Sequence, residues 1–424
     1  MSDPHLANTT LPGMLAVVAV ALALAHGMDR VAAAQCVRYT ATPITLGCNG
    51  SVSAQAISPQ GDVVGHLACI GGEDRAFVWW GSDPLAVLNL PNQFWSRAHD
   101  INSSGRIVGV AELTGTGIRP IAYMSGHMTD LGSLGQNGTS ISEALAINEH
   151  DQVVGYGSTP SGSANHAYLW HDGVISDLNL SIGPNNQAND INDRSQIVGW
   201  MGTATGLYFY AEAFLWHNGV TTPLGKPRGA TNSNANAISN TGIICGHYTI
   251  ADPQGAGGYK PRALAWIDGQ MVDLGVLPGY LNSRALDVND SGTIVGNCNN
   301  PPLLGNGVNA FLWRDGQMFA LSDLLAPEFA QYQVWYARNI NNSGQIAATL
   351  KPPLVHDVGA RLDPIPPRSG DTNCDWLVNV NDLLNVINAW GPAAAKTPFQ
   401  GSPDLNDDGT VNVNDLLAVI NDWG

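Results

Sequence analysis

The chain has 424 residues, 44% of them apolar and 12% charged, which excludes a disordered chain and leaves room for more than one domain with its own core. Acidic residues outnumber basic ones 35 to 18, the net charge is −17, and the only lysines are Lys226, Lys260, Lys351 and Lys396. With no basic run, a nucleic-acid partner is not expected; the acidity suits cations or neutral ligands.

The N-terminus reads as an export signal. Residues 11 to 25, LPGMLAVVAVALALA, form an apolar run, and Ala32 and Ala34 place an A-x-A cleavage site before Gln35. Residues 1–34 are therefore expected to be a removed signal peptide, although residues 1–10 carry no Lys or Arg. The run falls short of the roughly 20 residues a span needs, so no membrane span is expected after its removal. Gln35 in front of Cys36 argues against a lipid-anchored cysteine. Cys36, Cys48 and Cys69 are close enough in sequence to tie down the N-terminus, and Cys245 and Cys298 lie in neighbouring repeats. The pairing stays open.

From 36 to 362 one pattern returns seven times: AISPQGDVVG at 56–65, DINSSGRIVG at 100–109, AINEHDQVVG at 146–155, DINDRSQIVG at 190–199, AISNTGIICG at 237–246, DVNDSGTIVG at 287–296 and NINNSGQIAA at 339–348. The I-N step followed by x-x-G is a turn, with Asn or Ser bonding its own backbone and Gly left-handed at the end. Asp151 and Ser195 stand where five units have Gly. A third strand follows, as AFVW at 76, AYLW at 167, AFLW at 213, ALAW at 263 and AFLW at 310. An x-D-G or x-N-G hairpin turn then leads to a fourth strand. Four short strands per ~45 residues is the period of propeller blades.

The fourth strand occurs only six times after the third. TATPITLG at 40–47 supplies the missing copy, which predicts that the N-terminal segment pairs with the last unit and closes a ring. The expected fold is mainly β, a seven-bladed β-propeller, with an open β-solenoid or a pair of β-sandwiches as alternatives. The units resemble the HAF family of extracellular repeats, on His166-Ala167, Ala213-Phe214 and Ala310-Phe311. That resemblance implies export and a propeller-like array, and no particular activity.

No catalytic signature is present: no G-x-S-x-G, no H-E-x-x-H and no phosphate-binding glycine loop. Trp79, Trp170, Trp216, Trp266 and Trp313 hold equivalent places and read as blade packing before they read as a stacking platform for sugars. The residue after each IVG glycine varies as His66, Val110, Tyr156, Trp200, His247 and Asn297. A ring of such residues at a channel mouth would suit a sugar or a metal; strand ends exposed to solvent are the plainer reading. Asp100, Asp190 and Asp287 alternate with alanine between repeats. They read as strand residues beside the turns, and as the carboxylates a glycosidase or lyase would need if the propeller were catalytic.

DPIPPRS marks a proline-rich linker over 363–369. Two copies of one unit follow, NVNDLLNVINAWG at 379–391 and NVNDLLAVINDWG at 412–424, each preceded by an acidic loop. The loops have the oxygen spacing of a calcium site at positions 1, 3, 5, 7, 9 and 12. The first loop offers Asp371, Asn373, Asp375, the Leu377 carbonyl, Asn379 and Asp382; the second offers Asp404, Asn406, Asp408, the Thr410 carbonyl, Asn412 and Asp415. Such close carboxylates repel one another unless a cation binds. Each loop leads into a helix with an apolar stripe: Leu383, Leu384, Ile387 and Trp390, then Leu416, Leu417, Ile420 and Trp423.

A loop and one helix, repeated, with Asp at position 12, resembles a dockerin type I module over 370–424. The resemblance implies two Ca²⁺ ions and docking on a cohesin domain of a scaffold or surface protein. It implies partner contacts at loop positions 10 and 11, here Val380 and Asn381, and Val413 and Asn414; their identity in both copies suggests two-fold symmetric binding. Trp376 departs from the pattern, because position 6 is glycine in the second loop. The function expected is a secreted, non-catalytic propeller with a ligand surface, carbohydrate among the candidates, docked extracellularly in an assembly such as one for polysaccharide breakdown. A propeller hydrolase or lyase, and a structural surface-layer protein, are the alternatives.

Overall fold

The computed structural model describes residues 37–422, apart from 46–49, 70–72, 83, 89–92, 116, 136–140, 160–163, 181–182, 206–207, 252–258, 301–306, 354–355, 366–369, 373–377, 379, 393–402 and 407–408. The export segment 1–34 and the cysteines Cys36, Cys48 and Cys374 lie outside the described residues. The chain divides into a sheet unit, Tyr39–Pro364, and a smaller unit that contains Ile365–Gly424.

The sheet unit is a seven-bladed propeller. Blade 1 takes its four antiparallel strands from Gly50–Ile57, Val63–Cys69, Arg75–Trp79 and Ala86–Val87; blades 2 to 6 repeat this over 93–130, 142–177, 185–223, 232–275 and 282–320. Blade 7 has Gln333–Ile340, Ile346–Lys351 and Val358–Ile365, and its fourth strand is Arg38–Ile44 from the other end of the chain. The ring therefore closes through the N-terminal segment, as the missing copy requires. The last strand runs to Ile365, so the first three residues assigned by composition to a linker are blade residues. Pro364 is tolerated in this interior strand because it lies past the last pair with the second strand, Ile346 with Leu362.

The first strand of each blade is innermost. These strands bond to one another around the axis, as in Ile147 N–H to Asp100 Oδ2 and Ile238 N–H to Asp190 Oδ2. The fourth strands, such as Val174–Asp177 and Val220–Pro223, are short and largely exposed. Hydrophobic packing lies between blades: one cluster joins Cys245, Ala263 and Leu274 of blade 5 to Ile294, Phe311 and Trp313 of blade 6. Trp79, Trp170, Trp266 and Trp313 are buried there and Trp216 half-buried, so they fill blade interfaces and form no sugar platform. Cys245 and Cys298 are free buried thiols, not a disulfide.

The turns carry the geometry their sequences require. Asp151 and Ser195 adopt φ of 58° and 56° where Gly242 and Gly292 have 92° and 78°. Every first strand also bulges after its alanine, as between Ala144 and Ala146 or Ala285 and Asp287. The bulge swings a carbonyl onto the IVG glycine: a Cβ on Gly199 would lie 1.9 Å from the Gln187 oxygen. Blade 7 has Ala348 there, and its first strand carries a second irregularity between Val334 and Tyr336.

Candidate functional site

Two places concentrate polar side chains: the axial end of the propeller formed by the I-N turns, and the C-terminal module.

At the axial end, a depression of about 200 Å³ is lined by turn residues of all seven blades, Asp100, Asn148 and Asp287 among them. The aspartates of the innermost strands, Asp100, Asp190 and Asp287, are committed to backbone donors. Asp100 accepts Ile101 N–H and, from the next blade, Ile147 N–H, both at 2.8 Å. Asp190 accepts Ile191 and Ile238 in the same way, at 2.8 and 2.7 Å. Asp287 accepts Val288, Ile340 at 2.7 Å and the Asn339 amide at 2.7 Å, while Asn339 Oδ1 accepts Ile57 at 2.9 Å. One side chain thus serves the N–H groups of two blades. That is why aspartate alternates with alanine: Ala146 and Ala237 need no acceptor, because the preceding blade supplies it. Four side chains close a ring of seven donors.

Burial pushes the Asp100 carboxyl up to about 7 and Asp190 up to about 6, against the pull of these N–H groups. Burial also raises Asp287, helped by the charges of Asp190 and Asp100. The shifts follow from enclosure inside a bonded ring, in which both oxygens of Asp100 and of Asp190 are engaged.

A second ring uses the turn asparagines. Asn102 Nδ2 donates to the Asn148 carbonyl at 3.2 Å, Asn148 to Asn192 at 3.0 Å, and Asn341 to Ser58 at 3.0 Å. The Oδ1 of the same residue holds its own turn, as Asn341 does for Gln345 N–H at 3.0 Å. These asparagines are turn formers and blade latches at once. Sequence reasoning saw only the first role; the use of Asn rather than Ser at five of seven turns was the available clue. At Ser58 and Ser239 the hydroxyl instead reaches Asp62 and Thr241.

His66, Val110, Tyr156, Trp200, His247 and Asn297 do not ring the axis. They sit on the second strands, opposite Ser53, Arg97, Glu143, Gln187, Asn234 and Arg284 of the first. The channel-mouth reading fails because the strand ending in I-N, not the one ending in IVG, is innermost; the plainer reading of exposed strand ends fails as well, since all six are buried or half-buried.

The C-terminal module is built from two equivalent halves. Helix α1 is Val380–Asn388 and helix α2 is Val413–Asn421. A two-residue strand pair, Gly391–Pro392 with Thr410–Val411, joins the halves. Val378, Val386, Val411 and Val419 form the buried core, with Leu383 and Leu416 against it. Gly370 N–H donates to Asp422 Oδ2 at 3.0 Å, which ties the two ends of the module together. Only part of each apolar stripe turns inward: Leu384, Ile387, Leu417 and Ile420 are exposed, with Val380 and Val413 at 53% and 52%.

Where the loops are described, the carboxylates at their two ends are enclosed. Asp371 and Asp382, and Asp404 and Asp415, are buried: positions 1 and 12 of each loop. In the first loop Thr372 N–H donates to Asp382 Oδ1 at 2.7 Å; in the second Leu405 N–H donates to Asp415 Oδ1 at 2.6 Å. Position 12 is thereby drawn back over the loop start in both copies. Gly409, at φ 82°, turns its N–H onto Asp404 Oδ2 at 3.1 Å. The Thr410 carbonyl accepts the Asn412 amide at 3.0 Å, and Asn412 caps α2 in a reciprocal box with Asp415. Burial works to raise the Asp415 carboxyl; N–H donors from Asn412, Leu405 and Asn406 overcome it and hold it low. Asn373, Asp375, Leu377, Asn379 and Asp408 lie outside the described residues.

These residues fit a hard cation. From 370 to 424 the acids are Asp371, Asp375, Asp382, Asp404, Asp407, Asp408, Asp415 and Asp422, and Lys396 is the one basic side chain. Four buried carboxylates cannot be balanced from within, whereas a Ca²⁺ in each loop would be held by oxygens of the right kind. The loops differ at position 6, where Trp376 replaces the left-handed Gly409. A side chain there costs about 1–2 kcal/mol. Calcium titration followed by calorimetry is expected to give two steps separated by roughly tenfold in affinity, which Trp376→Gly merges into one.

Residues 369–423 match the family model of the Dockerin type I domain. No curated protein sequence matches the chain. Among solved structures, the chain is similar to the β-propeller domain of the Trilobed protease from Pyrococcus furiosus (10% identity, 77% of this chain and 96% of that one, TM-score 0.46). It is also similar to a gluconolactonase from Xanthomonas campestris (12%, 77% and 95%, 0.35) and to TolB from Acinetobacter baumannii (10%, 78% and 80%, 0.37).

Proposed function

We propose that the chain is an exported, non-catalytic protein whose propeller presents a ligand surface and whose C-terminal module docks it, with calcium, on a cohesin-type domain of an extracellular or cell-surface assembly. Polysaccharide breakdown is the setting that accords with such modules. The observation that carries the reading is the duplicated, outward-facing edge of the module. Val380, Leu384 and Ile387 on α1 are matched by Val413, Leu417 and Ile420 on α2, each pair nearly equal in exposure and 33 positions apart. Apolar side chains left outside at both of two equivalent places suit a partner that binds either one. Asn381 and Asn414 flank them, exposed at the helix starts.

The proposed role of the loops is positional. Calcium, when bound, supplies the countercharge; Asp382 and Asp415 fix the first turn of each helix and so aim the apolar edge. The catalytic alternative draws no support from the axial carboxylates, whose oxygens accept backbone N–H groups. The test uses the full chain, calcium and a purified type I cohesin domain. Val380→Asp or Val413→Asp alone is expected to leave affinity nearly unchanged, because the other face substitutes. The double variant is expected to lose about 100-fold or more. An equal, large loss from one single variant would contradict the two-fold reading.

A further inference from the structure

Between blades 4 and 5, away from the axial turns, lies a cleft that the docking role does not use. Its volume is about 280 Å³, at the small end of ligand sites, and it is lined by Trp200 on one side and Asn232, Ser233, Asn234, His247 and Thr249 on the other. Asn232 and Thr249 are partners at the end of the blade 5 hairpin opposite its I-N turn, so the cleft belongs to the other face of the propeller.

We infer that this cleft is a binding site for a single neutral sugar ring. The inference rests on reading the propeller as a ligand-presenting surface, and it gives that surface a place and a ligand class.

The strongest observation is His247. Its Nδ1 is enclosed and has no hydrogen-bond partner. Leaving a buried polar nitrogen unmatched is unfavourable, so such a group calls for a water or a ligand. Burial, with Arg284 nearby, lowers the imidazole to about 4, so it is neutral in ordinary media and can exchange a hydrogen bond with a hydroxyl.

The amides are already oriented. Asn232 Oδ1 accepts Ala211 N–H at 3.0 Å, and Asn234 Oδ1 accepts the Asn189 amide at 2.8 Å. Their Nδ2 groups remain as donors. Ser233 Oγ is held between Ala213 N–H at 3.0 Å and the Gly225 carbonyl at 2.8 Å, which stiffens the wall beneath them.

Among the described residues no lining side chain is charged, which disfavours phosphates, carboxylates and amines, since each would enter without a counter-ion. An aromatic wall facing amide donors and a neutral imidazole suits a ring with one apolar face and a rim of hydroxyls. The volume admits one ring and no chain. The combination occurs once: the places of Trp200 and His247 are held in the other five blades by His66, Val110, Tyr156, Asn297 and Thr349.

The test is calorimetry on the full chain in calcium with the methyl pyranosides of glucose, galactose, mannose, xylose and fucose. At least one is expected to bind saturably, one per chain. Trp200→Ala and His247→Ala are each expected to weaken it by about tenfold or more. Tyr156→Phe, at the same place in blade 3, is expected to change nothing. Binding that survives both substitutions, or no binding by any of the five, overturns the inference. Should Trp200→Ala fail to fold, a crystal of the native chain with the bound pyranoside decides: density in the cleft supports the site and density elsewhere overturns it. Cohesin binding is measured on the same samples. Docking intact with no sugar bound refutes the cleft alone; sugar bound with no docking refutes the docking role alone.

Discussion

Asp287→Ala is expected to lower the unfolding free energy of the propeller by about 3–5 kcal/mol, the largest effect of any single axial substitution. Asp287 is buried and accepts three donors, from Val288, Ile340 and Asn339. Each buried donor left unmatched costs about 1–3 kcal/mol, and a solvating water recovers part of that. The Asn339 amide also loses what orients its Oδ1 toward Ile57, so the defect spreads across blades 6, 7 and 1. Urea unfolding followed by tryptophan fluorescence measures the loss. A change under 1 kcal/mol would mean that the ring is incidental to stability.

The same ring sets a pH dependence. The Asp100 and Asp190 carboxyls are raised in the folded protein, to about 7 and about 6, so the folded state holds protons that the unfolded state has released. Their contribution is full below about pH 4 and is lost as pH rises through 6 to 7. His66 and His247 act oppositely: lowered to about 4 by burial, their contribution is present above about 6.5 and is lost as pH falls through 4. Asp100→Asn resembles the protonated acid. Its stability deficit relative to the native chain is expected to shrink as pH rises from 4 to 7.

Removing calcium is expected to abolish the thermal transition of the C-terminal module and leave that of the propeller in place. A core as small as Val378, Val386, Val411, Val419 and their neighbours supplies no more than about 3–5 kcal/mol in a module of this size. Asp371, Asp382, Asp404 and Asp415 are buried in it, and with eight acids against one lysine from 370 to 424 the module holds an excess of negative charge, some of it buried at a cost of several kcal/mol. The electrostatic cost exceeds the packing gain, so the module folds only with its countercharge. Calorimetry of the full chain with calcium, then with chelator, shows the lower transition present and then absent. Asp404→Ala is expected to weaken it even in calcium. A module transition that persists in chelator would refute the metal's structural role.

Much of the propeller was legible in the sequence because its information is local and repeated. The I-N-x-x-G turns, the x-D-G hairpins and the absent seventh fourth strand each follow from backbone rules acting within a few residues. What escaped depends on neighbours 44 to 53 positions away in sequence: the sharing of Asp100 between Ile101 and Ile147, and the Asn latches from blade to blade. In the module, the loop spacing identified the buried Asp371, Asp382, Asp404 and Asp415. Periodicity alone could not separate the inward Leu383 and Leu416 from the outward Leu384 and Leu417, because both lie within one broad apolar arc.

The most direct test of the account is surface-plasmon binding of an immobilised type I cohesin domain to the full chain and to a chain ending at residue 364, each in calcium and in chelator. The account predicts binding by the full chain in calcium, none in chelator, and none by the shortened chain in either. Binding that survives chelation, or that the shortened chain retains, would contradict it.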